Sequence, residues 1–281
     1  MASADIPSHL RSQGSGNPGF LVVDTESVPD GELLAAVKYP QEGLSPEEAI
    51  DRAHKEQLEK THNESDFIPV TFHVPVAICV ARVARDYRLQ AFTCLDSPQY
   101  RSKEITRKFW LGMAHYCSVE TAGQDRAKLV TFNGRGFDMP LLELAAFRHG
   151  LQARDHYLSR DRYRGPLDLQ EFFTNFGGCK MVGGLNLLAK MLGLPGKMET
   201  KGHQVYDLYR EGKLQEINEY CLCDTLDTYF IFLRTRVLKG DITLEREAEI
   251  VADARKLLLA KRAEWPILAQ YLERGKSPNM A

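Results

Sequence analysis

The sequence has 281 residues, of which 43% are hydrophobic and 26% charged, and its formal net charge is −2. No apolar run is long enough to predict a membrane span, and the first nineteen residues lack the apolar segment of a signal peptide. The near-neutral charge disfavours a protein that coats duplex nucleic acid by bulk electrostatics, but it allows an enzyme that holds its substrate through bound metal ions. Six cysteines without framework spacing indicate reduced thiols and a cytoplasmic location.

The predicted elements begin with a leader at residues 1–18, which is rich in Ser, Gly and Pro and is expected to be flexible. A buried strand at 19–25 follows. Residues 30–70 look like an insertion, within which a helix at 46–61 begins after Ser45 as the N-cap. The role of this insertion is open, and it could form a lid or a partner surface.

Periodicity and turn residues predict the rest of the chain as strands at 73–85 and 88–95, a helix at 102–120, a strand at 128–133, a helix at 138–149, a broken helical stretch at 166–195, and helices at 214–238 and 243–262 before a short polar tail. This order predicts an α/β fold with a mixed sheet rather than a doubly wound one. We expect one domain at 19–240 and a C-terminal helical extension at 241–281.

Two carboxylates end the first predicted strand. Asp24 and Glu26 are two residues apart and follow the apolar run 20–23. Side chains two apart on a strand point to the same face, so these carboxylates repel each other unless a cation lies between them. The pair therefore indicates a metal site, and the alternative is a solvated strand end with the same spacing.

A turn with two glycines precedes the third carboxylate. The segment Asn-Gly-Arg-Gly-Phe-Asp, from Asn133 to Asp138, follows a predicted strand and opens a helix. Glycines let the backbone approach a ligand closely, and Asn133 offers both a donor and an acceptor to a nucleotide. Asp138 is thus a candidate metal ligand. The alternative is a helix N-cap, where Asp is favoured for structural reasons alone.

A tyrosine and an aspartate share one face of the longest predicted helix. Tyr220 and Asp224 are four residues apart and are therefore neighbours on the helix surface. A carboxylate beside an apolar stripe is costly without a partner, and a metal ion would remove that cost. The alternative is a tyrosine packed in the core with Asp224 at its rim. Asp227 is a rival carboxylate, but it lies seven residues from the tyrosine and so farther along the helix.

Together the three motifs supply four carboxylates and one phenol, the ligand set that a pair of Mg²⁺ or Mn²⁺ ions needs for phosphodiester hydrolysis. Hard cations select oxygen ligands, and two of them about 4 Å apart clamp the attacking and leaving oxygens. A glycosidase would also use two acids, but it needs no third motif with a tyrosine. Cys221 and Cys223 suggest zinc, but a Cys-x-Cys without a matching pair favours core packing.

The order Asp-x-Glu, Asn-x-x-x-Phe-Asp and Tyr-x-x-x-Asp resembles the tyrosine branch of the DEDD 3′–5′ exonuclease superfamily. The chain is most similar to bacterial predicted exonucleases related to the proofreading domain of family B DNA polymerases. Further segments support this resemblance over roughly residues 20–238, and they are Val28–Asp30, Gly193–Lys197 and the pair Gln204-Val205. The chain departs from the family where Lys201-Gly202-His203 replaces an acidic-Gly-Ser step.

The resemblance implies a ribonuclease H-like fold, an α/β mixed five-stranded sheet flanked by helices, with a helical insertion after the first strand. It implies that 19–240 is a 3′–5′ exonuclease domain. The implied catalytic residues are Asp24, Glu26, Asp138, Tyr220 and Asp224, and the four carboxylates among them are the implied metal ligands. The implied substrate-binding residues are Thr25, Asn133, Phe137 and Lys197.

The activity that the resemblance implies is removal of nucleoside 5′-monophosphates from single-stranded 3′ ends with two divalent ions, Mg²⁺ or Mn²⁺. DNA is the expected substrate. An exoribonuclease and a catalytically silent nucleic-acid-binding module of the same fold are the alternatives. Lys201 could contact phosphates and His203 could act as a base, although Tyr220 holds that place in the tyrosine branch. We expect no membrane association, and neither a protein partner nor an oligomeric state is identifiable.

Overall fold

A mixed five-stranded sheet forms the centre of the computed structural model, which describes residues 17–117, 126–158, 165–197 and 204–275. The strands are β1 (Phe20–Pro29), β2 (His73–Val83), β3 (Leu89–Cys94), β4 (Lys128–Thr131) and β5 (Leu167–Asp168). Their order in the sheet is β3-β2-β1-β4-β5. The pairs β1–β2 and β2–β3 are antiparallel, whereas β1–β4 and β4–β5 are parallel. The mixed sheet of the ribonuclease H-like prediction is confirmed.

Helices flank this sheet and form the insertion. Those in the described residues are α1 (Gly31–Lys38), α2 (Pro46–Lys60), α3 (Ser102–Cys117), α4 (Asp138–His149), α5 (Arg154–Leu158), α6 (Leu169–Thr174), α7 (Gly184–Met191), α8 (Gln204–Arg210), α9 (Leu214–Leu238), α10 (Leu244–Lys261) and α11 (Ile267–Arg274). None of these helices combines the length and the apolar composition that a bilayer crossing demands.

Strand β1 separates two apolar cores because its side chains alternate between the faces of the sheet. Leu21 and Val23 belong to the core that contains α3 and α4 residues. Val22 and Val28 belong to the core that contains most of α9. This alternation directs Asp24 and Glu26 towards α9 and Thr25 towards α4, so the side on which each polar residue lies follows from the buried ones.

The insertion after β1 is helical and has its own small hydrophobic core. Helix α2 begins at Pro46, where Ser45 forms a complete capping box with Glu48, and it ends at Lys60, as predicted within one residue. Helix α1 was not predicted, and Leu34 on α1 packs with Ile50 and other buried residues of α2. This core gives the insertion a fixed shape beside the sheet.

Two parts of the sequence-based assignment were wrong. The stretch 166–195 was predicted to be helical, but it begins with the two residues of β5, which are too few for a period of two to appear. The polar tail predicted after residue 262 contains α11, whose Leu268, Tyr271 and Leu272 are buried. Residues 1–16 and the Lys201-Gly202-His203 step lie outside the described residues.

The buried face of α9 should dominate the stability of the fold. Leu222 is fully buried on this helix, whereas Leu238 at its end is 67% exposed. We expect Leu222→Ala to lower the free energy of unfolding by about 2–5 kcal/mol, because it leaves a cavity between α9 and the sheet. Leu238→Ala, the same change on the same helix, should cost less than about 0.5 kcal/mol. Equal urea midpoints for the two variants would contradict this arrangement.

Candidate metal centre

Three carboxylates converge where β1 meets α9. Asp24 and Glu26 come from the strand and Asp224 comes from the helix, and one oxygen from each lies within 4.8 Å of the other two. All three side chains are partly buried and keep some contact with solvent. The packing of α9 on β1 thus unites residues that are about two hundred positions apart in the chain.

The electrostatics of this cluster favour a bound cation. Burial, followed by repulsion from the neighbouring carboxylates, raises the pKa of Asp24 and of Glu26 well above the ordinary values. Burial also raises the pKa of Asp224, to about 6. Asp24 Oδ2 is buried and has no hydrogen-bond partner among the described residues. Crowded, incompletely paired carboxylate oxygens fit a hard divalent cation such as Mg²⁺ or Mn²⁺.

Asp138, the fourth predicted carboxylate, lies outside the group of three whose oxygens are within 4.8 Å of one another. The Thr25 hydroxyl donates to Asp138 Oδ1 over 2.6 Å, and both side chains are buried. Burial raises the pKa of Asp138 to about 7 despite this hydrogen bond. The charge of Asp138 contributes to the raised pKa values of Asp24 and Glu26, so it lies close enough to act on them.

The alternative of Asp138 as a helix cap does not fit the structure. Phe137 occupies the N-cap position of α4, and Asp138 is the first residue of the helix. Its carboxylate is used by Thr25 from β1, which lies 113 positions earlier in the chain. The hydroxyl of Thr25 is therefore engaged inside the protein. The predicted contact of Thr25 with substrate stays a prediction.

A second buried aspartate shapes the turn that leads to Asp138. Asp168 accepts hydrogen bonds from the backbone amides of Asn133, over 2.9 Å, and of Arg135, over 3.1 Å. Asn133 has a left-handed backbone with φ 60 and its side chain is exposed. At Gly134 a Cβ would lie 2.3 Å from Thr131 Oγ1, so this turn requires glycine.

Asp168 was missed in the sequence analysis although a signal was present. It caps α6 by accepting from the amides of Gln170 and Glu171. An aspartate followed three residues later by a glutamate is a helix-start pattern. Recognising it would have placed the start of α6 correctly, but not the contact of Asp168 with the turn after β4.

Lys197 brings a positive charge to the acidic cluster. Its charge lowers the pKa of Glu26 and of Asp224, and its side chain is exposed. The backbone amide of Lys197 donates to Asn186 Oδ1 over 2.9 Å, and Lys190 Nζ donates to the carbonyl of Pro195. Helix α7, which carries Asn186 and Lys190, therefore fixes the loop on which Lys197 stands.

Tyr220 is buried one helical turn before Asp224. Its hydroxyl lowers the pKa of Asp224 by hydrogen bonding, and burial together with the nearby carboxylates raises the pKa of the phenol far above its ordinary value. Tyr220 is therefore a neutral hydrogen-bond donor beside the cluster. The structure places its hydroxyl next to the acids rather than in a purely apolar environment.

The rival residues have other environments. Asp227 is fully buried and accepts a hydrogen bond from the Tyr271 hydroxyl over 2.7 Å. The thiol of Cys221 donates to the carbonyl of Asp24 over 3.3 Å, and Cys223 is buried in the core. Neither cysteine belongs to a metal-binding group found within the described residues. His203 and Lys201 lie outside those residues.

The raised pKa values predict how the metal-free protein responds to pH. Asp138 and Asp224 have pKa values of about 7 and about 6 when folded, against 3.8 for an unperturbed aspartate. Between pH 4 and pH 7 the folded state therefore holds more protons at these groups than the unfolded state, and their contribution to stability falls as the pH rises. Partly buried His73, whose pKa is lowered to about 4, acts in the opposite direction.

Comparing the native chain with a variant separates the pH response of the carboxylate cluster from that of His73, because both proteins contain His73. We expect the melting temperature of the native chain in chelator to fall, relative to that of Asp24→Asn, between pH 5 and pH 8. Adding Mn²⁺ at pH 8 should raise the melting temperature of the native chain much more than that of the variant. Parallel pH profiles with an identical response to Mn²⁺ would contradict the crowding of these carboxylates.

Comparison with known proteins places this geometry in a family. A family model described as a predicted 3′–5′ exonuclease related to the exonuclease domain of PolB matches residues 65–275. The match includes Asp138, Tyr220 and Asp224 and runs through α10 and α11, whereas Asp24 and Glu26 precede it. No curated protein matches the chain. Since the matched residues make up well over half of the sequence, the chain belongs to the family of predicted 3′–5′ exonucleases related to the exonuclease domain of PolB.

Proposed function

We propose that this protein is a metal-dependent 3′–5′ exonuclease that removes nucleoside 5′-monophosphates from single-stranded nucleic acid, with DNA as the expected substrate. Membership of the family implies a nucleic acid substrate. The observation that carries the proposal is the convergence of Asp24, Glu26 and Asp224 within 4.8 Å, and the charge of Asp138 also contributes to the raised pKa of Asp24. Such a group of carboxylates is costly unless it binds cations.

The carboxylates have separate positions in the proposal. Asp24, Glu26 and Asp224 would hold one divalent ion, and Asp138 with Asp24 would hold a second. Such ions would polarise the phosphate and lower the pKa of a coordinated water. The hydrogen bond from Thr25 fixes the carboxylate of Asp138.

Tyr220 and Lys197 act on the reacting groups directly. The phenol of Tyr220 is neutral, because its pKa is raised, so it can donate to or orient the attacking water without adding charge. Lys197 is exposed next to the cluster and can pair with a phosphate of the strand. Asn133 is exposed at the turn before Asp138, where its side chain can reach a nucleotide.

The rival functions differ in measurable ways. An exoribonuclease would use the same ligand set, and discrimination depends on contacts to the 2′-hydroxyl. A silent binding module would hold a strand without cleaving it. Matched DNA and RNA oligonucleotides with a labelled 3′ end, incubated with Mn²⁺ or with chelator, separate all three. The cytoplasmic location and the domain boundaries at residues 18 and 240 stay predictions.

Asp24→Asn should abolish degradation while preserving the fold. The change removes one charge from the centre of the cluster, so we expect the rate of 3′-end hydrolysis to fall by at least about 100-fold. Asp138→Asn should behave in the same way. The matched control is Asp253→Asn, because Asp253 is 45% exposed on α10. Native activity in Asp24→Asn with Mg²⁺ or Mn²⁺ present would disprove the proposed function.

Tyr220→Phe should separate turnover from binding. The variant keeps the ring in the core but loses the hydroxyl beside Asp224, so we expect kcat to fall about 100-fold with little change in strand affinity. Tyr209→Phe is the control, because Tyr209 is 42% exposed on α8. Steady-state rates and equilibrium binding of a single-stranded oligonucleotide measure the two quantities. Equal losses in both would mean that Tyr220 has only a packing role.

A further inference from the structure

An exposed phenylalanine from the insertion lies against two rings of the core domain. Phe67 is 51% exposed. Its ring centroid lies 5.9 Å from that of Phe137 and 5.1 Å from that of His73. A single exposed apolar residue is ordinary on a protein surface, but a cluster of three rings with one half-exposed member is a surface to which another planar ring can add.

Both partners of Phe67 are linked to residues that neighbour the candidate site residues in sequence. Phe137 directly precedes Asp138, and His73 Nδ1 hydrogen-bonds with Ser27 Oγ over 2.8 Å. Ser27 directly follows Glu26 in β1. Phe67 therefore bridges the strand that carries the first two carboxylates and the helix start that carries Asp138.

Contacts of the insertion hold Phe67 in position. Its neighbour Ile68 is 1% exposed and belongs to the core of α1 and α2. The amide of Phe67 donates to Ser65 Oγ over 3.2 Å. An ion pair between Asp30 and Arg148 also ties the start of the insertion to α4. One side of the Phe67 ring thus packs on the protein while the other remains available.

The charge of the ring cluster suits a neutral planar ligand. Burial lowers the pKa of His73 to about 4, so its imidazole is uncharged at neutral pH. In the proposed function the phosphates of a strand are attracted elsewhere, towards Lys197 and the cations that the carboxylates would hold. The rings are therefore suited to contact bases rather than the backbone.

We infer that Phe67 and Phe137 form a stacking platform for the unpaired bases at the 3′ end of the substrate, so that the helical insertion contributes a specificity residue to the site. This inference rests on the proposed function and extends it. Stacking on aromatic side chains is independent of base identity, because every base has a π-face. A paired 3′ end must first be unpaired and unstacked before its bases can reach the platform, so the platform selects frayed or single-stranded ends.

The first experiment compares a normal 3′-terminal nucleotide with an abasic one. We expect Phe67→Ala to lower kcat/KM for the normal single-stranded oligonucleotide by about tenfold or more, the fold-change of one lost stacked base. The abasic oligonucleotide should be degraded at nearly the same rate by both proteins. Phe67→Tyr should restore the native preference, and Phe147→Ala, which removes an 87% exposed phenylalanine of α4, should change neither substrate.

A second readout does not depend on turnover. An oligonucleotide with 2-aminopurine at its 3′ end and a last linkage that cannot be hydrolysed should lose fluorescence on binding to the native protein, because stacking quenches it. The quenching should be absent with Phe67→Ala. If the native protein degrades no oligonucleotide, the proposed function is disproved. In that case the fluorescence measurement alone tests whether the platform binds a base. If Phe67→Ala matches the native protein with the normal and abasic substrates, or quenches equally, the platform is disproved.

Discussion

The site depends on like-charged carboxylates that the apolar core forces together. Asp24 and Glu26 are carried by β1 and Asp224 by α9, and the packing of α9 against the sheet buries Leu222 and Leu226 completely. Burying one such side chain contributes about 1.5–3 kcal/mol, and many side chains of this core do so. The free energy gained by burying this core therefore offsets the repulsion among the three or four acids. The acids cannot separate without breaking that packing, so the fold keeps them together.

Local geometry made much of this site predictable. The period of two in β1 placed Asp24 and Glu26 on one face, and the spacing of four in α9 placed Tyr220 beside Asp224. Which side of α9 meets the sheet was not predictable in this way. Nearly every residue from Ile217 to Arg236 is buried, so the helix has no polar face from which its orientation could be inferred. Which side of α9 meets the sheet was instead inferred from the order of the motifs and their resemblance to a family.

The supporting contacts were beyond sequence reasoning because they join distant residues. Thr25 and Asp138 are 113 positions apart, and Asp168 is 35 positions from Asn133. In each pair, one polar residue has an ordinary local explanation, as a strand residue or a helix cap. It contacts a residue of a second element, and local sequence patterns do not reveal that contact. Phe67 belongs to the same class. Its neighbours identify it as a loop residue, and only the packing of the insertion against α4 brings its ring to Phe137.

Helix α11, in the C-terminal part of the described chain, also supports the site. Asp227 lies three residues after Asp224, and its buried carboxylate accepts from the Tyr271 hydroxyl of α11 over 2.7 Å. Burial raises the pKa of the same carboxylate to about 7, and the backbone amide of Gly196, which directly precedes Lys197, partly offsets this rise. A Cβ on Gly275 would lie 3.2 Å from Pro195, so α11 also packs closely against the loop of Lys197. The charge that Lys197 brings to Glu26 and Asp224 is thus positioned in part by α11. The family match, which runs through residue 275, therefore includes the helix that packs against the loop of Lys197.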